Sequence, residues 1–438
     1  MKRITIALIG FIVALTGLWL LADTLPASTA GITFGAAFTQ LTGILSIGMM
    51  SFATLMSIRP KWLEPTFDGL DKMYRLHKWL GIGGMAVGIV HWLTASGGGR
   101  GRPGAAVAGA AQGAAASAQN WLDTFHGPAR GVGQPALFLL IALVAIALIK
   151  WIPYRFFAKT HILVAIAFLA LAFHSVVLMK AAYWSQPIGW ASAFIVLVGV
   201  VSALGSVLRR LGLRQQTNAT VLSSTYYPEL RVLETTLSVG DTWPGHEAGQ
   251  FAFVTTDKWE GAHPYTIASA WHPQEKTIRF IAKELGDHTA KLRETFTPGK
   301  PAWLEGPHGR FAFDDGKLRQ IWISAGIGIT PFIAKMRERA MVAEEAVIDL
   351  FHTTANVSET ALAKMRQDAA EANVRLHITV SSKDGKLNGE KIRALAPDWK
   401  EASVWFCGPA GFGGALRRDF TAAGLHAGDF HQELFQMR

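Results

Sequence analysis

The chain has 438 residues, enough for two or three domains of ordinary size. Its net charge of +10 sits largely at the ends of apolar segments, with no basic helix or aromatic-basic strand pattern, which argues against nucleic acid as a partner. The single cysteine, Cys407, excludes an intrachain disulfide and a four-cysteine metal site.

Nearly all long apolar runs precede residue 210, and six of them, at about 4–22, 32–58, 73–95, 135–152, 159–180 and 187–208, reach the length a helix needs to cross a bilayer. The first has Lys2 and Arg3 before it and an Ala-Ser-Thr-Ala tract after it, as a secretory signal does. Its apolar region is long for that role and five more spans follow, so it is expected to remain as a span. Trp79, Trp92, Trp151, Trp184 and Trp190 stand near span ends, where amphipathic rings favour the interface. Alternate connections differ sharply in charge. Lys2, Arg3, Arg59, Lys61, Lys72, Arg75, Lys78, Lys150, Arg155, Lys159, Arg209, Arg210 and Arg214 fall on one side, and Arg100, Arg102, Arg130 and Lys180 on the other. Thirteen against four places the N-terminus and everything after residue 210 in the cytoplasm, with a bacterial inner membrane expected. The Gly/Ala-rich stretch 96–134 is then an external flexible loop, with His126 on its surface.

Ionisable residues inside spans are costly and mark function. Span three carries His77 and His91, and span five carries His161 and His174. Both spans run outward, so His77 matches His161 in depth and His91 matches His174. Two imidazoles at each of two levels suit six-coordinate haem iron, which transfers electrons and leaves no open site. The step of 14 residues in span three returns to within about 40° of one face, whereas the 13 in span five misses by about 140°. A π-bulge or local distortion is therefore expected in span five. The four histidines in this spacing resemble the six-helix domain of the ferric reductase and NADPH oxidase superfamily. That resemblance implies two stacked b-type haems, with His77/His161 as inner and His91/His174 as outer axial ligands.

After Arg214 the texture changes. Short alternating segments at 229–237, 250–255 and 277–281, separated by turn residues, predict a small antiparallel barrel. From about residue 318, strands at 321–324, 346–351, 375–380 and 403–407 alternate with helical stretches, predicting a parallel doubly wound sheet. The expected fold class is thus a membrane all-α six-helix bundle (1–213), a cytoplasmic antiparallel β-barrel for FAD (214–317) and an α/β doubly wound nucleotide-binding domain (318–438).

Ordered motifs support the second half. His246 to Phe251 looks like the strand entry before a flavin site. His263-Pro264-Tyr265-Thr266-Ile-Ala-Ser269 is close to the oxidase form of the flavin motif. In Lys283-Glu-Leu-Gly286-Asp-His-Thr289, glycine permits close backbone approach, and helix-start amides with a Thr hydroxyl suit a phosphate. Gly306-Pro-His-Gly309 reads as the loop closing the barrel. Ser324-Ala-Gly326-Ile-Gly328-Ile-Thr330-Pro331 follows a strand and opens a helix, where a dinucleotide phosphate binds. Cys407-Gly408-Pro409 ends the last expected strand.

This half resembles the ferredoxin-NADP reductase family along its whole length. The resemblance implies that His263 contacts the FAD pyrophosphate, Tyr265 packs by the ring and Thr266 bonds near N5. Pro264, Ser269, Gly286 and Thr289 complete the flavin site, and Cys407-Gly408-Pro409 lies beside the nicotinamide. Phe435 would cover the flavin face, with Glu433 two residues before it. Thr266, Cys407, Glu433 and Phe435 are therefore the residues expected at the reacting atoms. For the nucleotide, His352, Thr353, Ser382 and Lys383 are candidates for a 2′-phosphate, and no acid immediately follows Phe351. NADPH is favoured, with NADH as the alternative.

The expected function is electron transfer from cytoplasmic NAD(P)H through FAD and two haem b groups to an external acceptor. The flavin converts a two-electron donor into one-electron steps. A ferric chelate is slightly favoured as acceptor; oxygen reduction to superoxide is the alternative. A quinone-linked cytochrome b subunit would use the same histidines but has no reason to carry the flavin and nucleotide motifs.

Overall fold

Long apolar runs form helices in the first half of the chain, because a helix satisfies its own backbone groups in an apolar surrounding. The computed structural model describes residues 2–22, 34–67, 69–97, 115–149, 151–152, 154–210, 216–257, 261–285, 289–342 and 344–433. Its helices in this half are α1 (Lys2–Ala22), α2 (Phe34–Ser57), the short α3 (Glu64–Phe67), α4 (Leu70–Gly97), α5 (Ala115–Leu148), α6 (Tyr154–His161), α7 (Leu163–Leu178) and α8 (Pro187–Arg210). The spans long and apolar enough to cross a membrane are Ile4–Ala22, Gly35–Ser57, Leu70–Ser96, Thr124–Leu148, Lys159–Leu178 and Pro187–Leu208.

Small residues let α2 and α4 approach closely, as in other membrane helix pairs. Ser46 Oγ donates to the Gly84 carbonyl at 2.8 Å, and a methyl on Gly84 would lie 3.3 Å from the Ser46 carbonyl. Ile47, Met50, Leu140, Phe168 and Val196, from α2, α5, α7 and α8, form the apolar centre.

One feature differs from the sequence expectation. Helix α5 begins at Ala115, so much of the stretch read as an external loop is helical, with Pro128 and Pro135 inside it and His126 half-buried. Neighbouring helices can satisfy the backbone groups a proline frees in a membrane helix, which is why loop-like composition misled there. In span five the expected local distortion takes the form of a break in the helix. α6 ends at His161, Ile162 forms a turn and α7 starts at Leu163.

The chain divides into two compact units, Met1–Arg214 and Gln215–Gln436. In the second, strands β1 (Thr217–Tyr227), β2 (Val232–Val239), β3 (Phe251–Thr255), β4 (His263–Thr266), β5 (Thr277–Lys283) and β6 (Pro301–His308) form an antiparallel sheet, with the one-turn helix α9 (Leu292–Thr295) between β5 and β6. The order is β4-β3-β6-β1-β2-β5, and a single bridge from Ile267 to Phe280 joins the edges, so the sheet curls into an incompletely closed barrel. Ala219, Leu237, Val254, Ile278, Phe280 and Leu304 fill it.

The remainder comprises β7 (Arg319–Ala325), α10 (Thr330–Met341), β8 (Val347–Thr354), α11 (Glu359–Glu371), β9 (Val374–Val380), α12 (Ser381–Asp384), α13 (Gly389–Leu395), β10 (Ser403–Cys407), α14 (Ala410–Ala422) and β11 (Phe430–Gln432). The sheet is parallel in the order β11-β10-β7-β8-β9, with apolar clusters on both faces. Strand order therefore reverses between β7 and β10, and ligands of such sheets bind in the crevice at that reversal.

Asp349 on β8 ties three strands together. It is 1% exposed and accepts hydrogen bonds from Arg319 (2.6 Å), Arg375 (2.7 Å) and His377 (2.7 Å). Burial alone would raise its carboxyl, but the bonds from His377 and Arg319 outweigh this and hold it below its ordinary value of 3.8. Such a group stabilises the fold fully above the unfolded pKa, and the contribution is lost as pH falls through the folded one. Asp349→Ala is expected to cost about 1–3 kcal/mol, because His377 loses its acceptor and Arg319 keeps only Asp398 as a carboxylate partner. In detergent-solubilised protein this lowers the melting temperature by about 2 °C or more, and flattens the decline in stability below about pH 4 seen in the parent. An unchanged melting temperature would remove Asp349 from the framework.

Candidate functional site

Within the helical unit the four histidines meet in two pairs. The rings of His77 (α4) and His161 (α6) have centroids 5.9 Å apart and planes at 72°. Those of His91 (α4) and His174 (α7) are 6.2 Å apart at 88°. Each pair draws one ring from α4, and along that helix 14 residues separate the pairs by about 21 Å. The break at Ile162 is what lets both rings of span five face α4 despite the spacing of 13.

Three of the rings are oriented by backbone carbonyls. Nδ1–H of His77 donates to Ala53 O at 2.8 Å, that of His91 to Thr39 O at 2.9 Å and that of His174 to Ala129 O at 2.8 Å. A proton on Nδ1 leaves the Nε2 lone pair available to a metal, the arrangement found behind most ligating histidines. Two metal–nitrogen bonds of about 2 Å, plus about 1 Å from each nitrogen to its ring centre, give a centroid gap of about 6 Å. The observed gaps match one metal ion between each pair. Among the described residues no group of three or more His, Cys, Asp or Glu could hold a bare metal ion. A macrocycle that supplies the remaining ligands is what fits two imidazoles.

Glycines keep space for these rings. A methyl on Gly43 would stand 3.1 Å from Cε1 of His91, and one on Gly133 would collide with the His174 ring. The carbonyl on Ala129 and the glycine at 133 both belong to the part of α5 that the sequence hid.

In the second unit, His263, Tyr265 and Thr266 stand on β4, paired with Val254, Ala252 and Phe251 of β3. Pro264 is exposed, while His263, Tyr265 and Thr266 are half-buried. Tyr265 packs against Phe280 and Phe296, with centroids 6.0 and 6.2 Å away. Ser269 is already engaged: its Oγ accepts from the Arg279 amide at 3.1 Å. Its carbonyl accepts from His246 Nε2 at 3.1 Å, while His246 Nδ1 accepts from Trp243 Nε1 at 3.4 Å. Burial lowers His246 to about 4, so it is neutral at pH 7 and holds the end of the β4 segment. Thr289 Oγ1 accepts from the Leu285 amide at 2.7 Å and closes its loop; Gly286, between them, lies outside the described residues.

The loops after β7 and β10 abut at the strand-order reversal. Gly326 adopts a φ of +57°, the left-handed region that favours glycine. Gly328 packs so tightly that a methyl there would overlap the Cys407 carbonyl and sit 3.0 Å from Gly408 Cα. Thr330 is buried, with Oγ1 donating to Ile327 O at 2.7 Å, and Pro331 occupies the first turn of α10. Cys407 is fully buried, and Pro409 caps α14. Burial, with Glu433 nearby, pushes the Cys407 thiol well above its ordinary value. It is a protonated packing group, not a nucleophile. Glu433 is buried, and its amide donates to Phe406 O at 3.3 Å. Phe435 lies outside the described residues.

Gly326 and Ile327 form one wall of a cleft of about 110 Å³ that Lys283, Arg337, Thr354, Ser358 and Lys364 also line. Glu234 and Asp368 line it too and pair with Lys364 and Arg337, each at 3.1 Å, so the backbone amides at the helix start and Lys283 are the groups left to suit a pyrophosphate. Lys283, Arg337 and Lys364 carry no sequence mark that separates them from ordinary surface charge, and sequence reasoning missed them. His352 also lines the cleft, but burial lowers it to about 4 and its Nδ1 lies 2.9 Å from Ser324 Oγ. As a neutral ring it cannot supply the charge expected of it toward a 2′-phosphate. Thr353 is half-buried, while Ser382 and Lys383 are exposed in α12 at the end of β9.

Comparison with known proteins agrees with this division. Residues 42–172 match the family model for the ferric reductase like transmembrane component, and residues 218–349 match that for an FAD-binding domain. An NADPH oxidoreductase of Mycobacterium tuberculosis is 31% identical over 155 residues, covering 34% of this chain and 40% of the relative. Ferric reduction oxidase 4 of Arabidopsis thaliana is 34% identical over 80 residues, covering 17% and 11%. A flavohemoprotein of Oceanobacillus iheyensis is 23% identical over 208 residues, covering 44% and 51%. The chain thus spans about half or less of the length of these relatives.

Proposed function

We infer that this chain, a multi-pass membrane protein with the two-part architecture of the ferric reductase and NADPH oxidase superfamily, carries electrons from NAD(P)H across a bilayer to an external acceptor. The observation that carries the reading is the two imidazole pairs, each at the separation one metal ion sets, inside a bundle followed by an FAD-binding domain. NADPH is the favoured donor and a ferric chelate the favoured acceptor, with oxygen reduction to superoxide as the other outcome. The excess of Lys and Arg supports a cytoplasmic N-terminus and a cytoplasmic second unit, in a bacterial inner membrane.

When bound, FAD would take up a hydride and give up electrons singly, and two b-type haems would relay them. The chain's own groups supply position and charge. His77 and His161 would hold the inner haem, and His91 and His174 the outer one. The carbonyls of Ala53, Thr39 and Ala129 fix three of these rings and keep the proton on Nδ1. His263, Pro264, Tyr265, Thr266, Gly286 and Thr289 would hold FAD, with His246 bracing the segment that ends at Ser269. The amides after Gly326 and Gly328, with Lys283, would hold the nucleotide pyrophosphate, and Lys383 would meet a 2′-phosphate. Cys407-Gly408-Pro409 would bound the nicotinamide. Glu433 would act near the reacting atoms, with Phe435 covering the flavin face.

The test is an absorption spectrum of the purified protein in detergent with added NADPH. Two low-spin b-type haems that become reduced only in the presence of FAD are expected. No haem absorbance, or haem reduction indifferent to FAD, would refute the reading.

A further inference from the structure

Helix α10 starts at the loop that the reading above gives to the nucleotide, and two turns further on it reaches the segment given to the flavin. Arg337 follows Thr330 by seven residues, so it returns to within about 20° of the same helix face, about 10 Å along the axis. Its Nη1 donates to the Ala268 carbonyl at 2.7 Å. Its Nε and Nη2 point at the Asp368 carboxylate on α11, at 3.4 and 3.1 Å, and the Arg337 and Asp368 side chains are 20% and 16% exposed. Ala268 is fully buried and stands two residues beyond Thr266. It belongs to the stretch that closes the barrel. The bridge from Ile267 to Phe280 precedes it, its own amide donates to Arg279 O at 2.8 Å, and Ser269 Oγ accepts from the Arg279 amide at 3.1 Å.

A charged contact between two packed elements ordinarily does no more than help hold them together, and a partly exposed ion pair contributes about 0–1 kcal/mol. Lys364 fits that description: it bonds Tyr227 Oη on β1 at 2.6 Å and Glu234 on β2 at 3.1 Å. Arg337 differs in what it meets. Its bond to the barrel ends on a main-chain carbonyl rather than a side chain, and that carbonyl lies inside the flavin motif. A planar guanidinium can fork between this carbonyl and the Asp368 carboxylate, whereas an ammonium cannot reproduce the fork. Groups that fix the separation of two reactants act strongly on rate, since a misplacement of about 1 Å can cost about 100-fold. We propose that Arg337 is a positioning residue for hydride transfer, acting through the Ala268 backbone to hold the flavin segment at a fixed distance from the start of α10. This rests on the reading above, in which β4 carries FAD and the start of α10 the nucleotide. The step is balanced: a hydride with its two electrons leaves NAD(P)H and is gained by FAD, and no other reactant is consumed.

Two measurements on the full chain in nanodiscs test this. Before FAD is added, amides in 263–281 are expected to exchange with deuterium about tenfold faster in Arg337→Ala than in the parent, with β1 and β8 unchanged. With FAD bound, stopped-flow reduction of the flavin at saturating NADPH is expected to slow about 30-fold, while the NADPH concentration giving half the limiting rate stays within about threefold. Added ethylguanidinium, but not ethylammonium, is expected to recover about tenfold of that loss. Arg337→Lys keeps the charge without the fork and is expected to slow the step about fivefold. Lys364→Met, which cuts the other contact, is expected to slow it less than about twofold. Unchanged exchange with an unchanged limiting rate overturns the proposal. So does a loss confined to the half-saturating NADPH concentration, which would make Arg337 a nucleotide-binding residue, or an equal loss in Lys364→Met. Should Arg337→Ala fail to fold, Arg337→Lys at the parent rate overturns it instead. A parent that binds no FAD, or whose FAD is not reduced by NADPH, refutes the underlying reading; an indifferent variant of a competent parent refutes this inference alone.

Discussion

Replacing His174 or His91 with leucine is expected to leave a folded protein that holds about half the parent's haem and passes electrons to an external acceptor more than about 100-fold more slowly. In the proposed reading each ring would supply one of the two protein ligands at its level, and its partner could not compensate from a centroid distance of 6.2 Å. Leucine fills a similar volume without a donor atom, so packing against Gly43 and Gly133 is largely preserved. The second unit should be indifferent. Reduction of a soluble dye by NADPH through FAD is expected at the parent rate, because the groups proposed for it all follow residue 215. Haem content by pyridine haemochrome, with the two rates measured on one preparation, decides the matter. Full haem content in both variants would end the assignment of this pair.

The reverse dissection uses Gly328→Ala. A methyl group there overlaps the Cys407 carbonyl, whose carbon would be 2.7 Å away, so the loops after β7 and β10 must part. A cost of about 2–3 kcal/mol taken from nucleotide binding corresponds to a rise in KM for NADPH of about 30- to 150-fold. Haem content, and the spectrum after reduction by dithionite, should match the parent. A KM within twofold of the parent would show that the nucleotide does not use this loop. Taken with the histidine variants, the result separates the two halves of the protein experimentally.

The four histidines were legible because ionisable residues inside apolar runs are rare, and their pairing followed from the direction of the spans. What orients them was not. The clamps are the backbone carbonyls of Ala53, Thr39 and Ala129, and a carbonyl leaves no mark on residue identity. The start of α5 was hidden for a related reason: Gly127, Pro128, Gly131, Gly133 and Pro135 read as loop, yet helix packing accommodates them. In the second half β7, β8, β9 and β10 were read from their apolar runs. Strand β6, which contains Pro301 and Pro307, was seen only as a closing loop. His352 shows the limit most clearly. Its position beside the cleft was legible, but its neutral state depends on burial, which only the packed structure sets.

The turn at Ile162 gives the fifth span a tolerance that the third lacks. With 13 residues between His161 and His174, a continuous helix would set the rings about 140° apart, and the turn absorbs that angle. One extra residue at the turn would make the spacing 14, as in α4, and an unbroken helix would then bring both rings to within about 40° of one face. Two backbone solutions of different length therefore present the same pair of imidazoles. Relatives that differ by one residue at this point can retain both rings in place, and an alignment of the family should admit a gap there and none within α4.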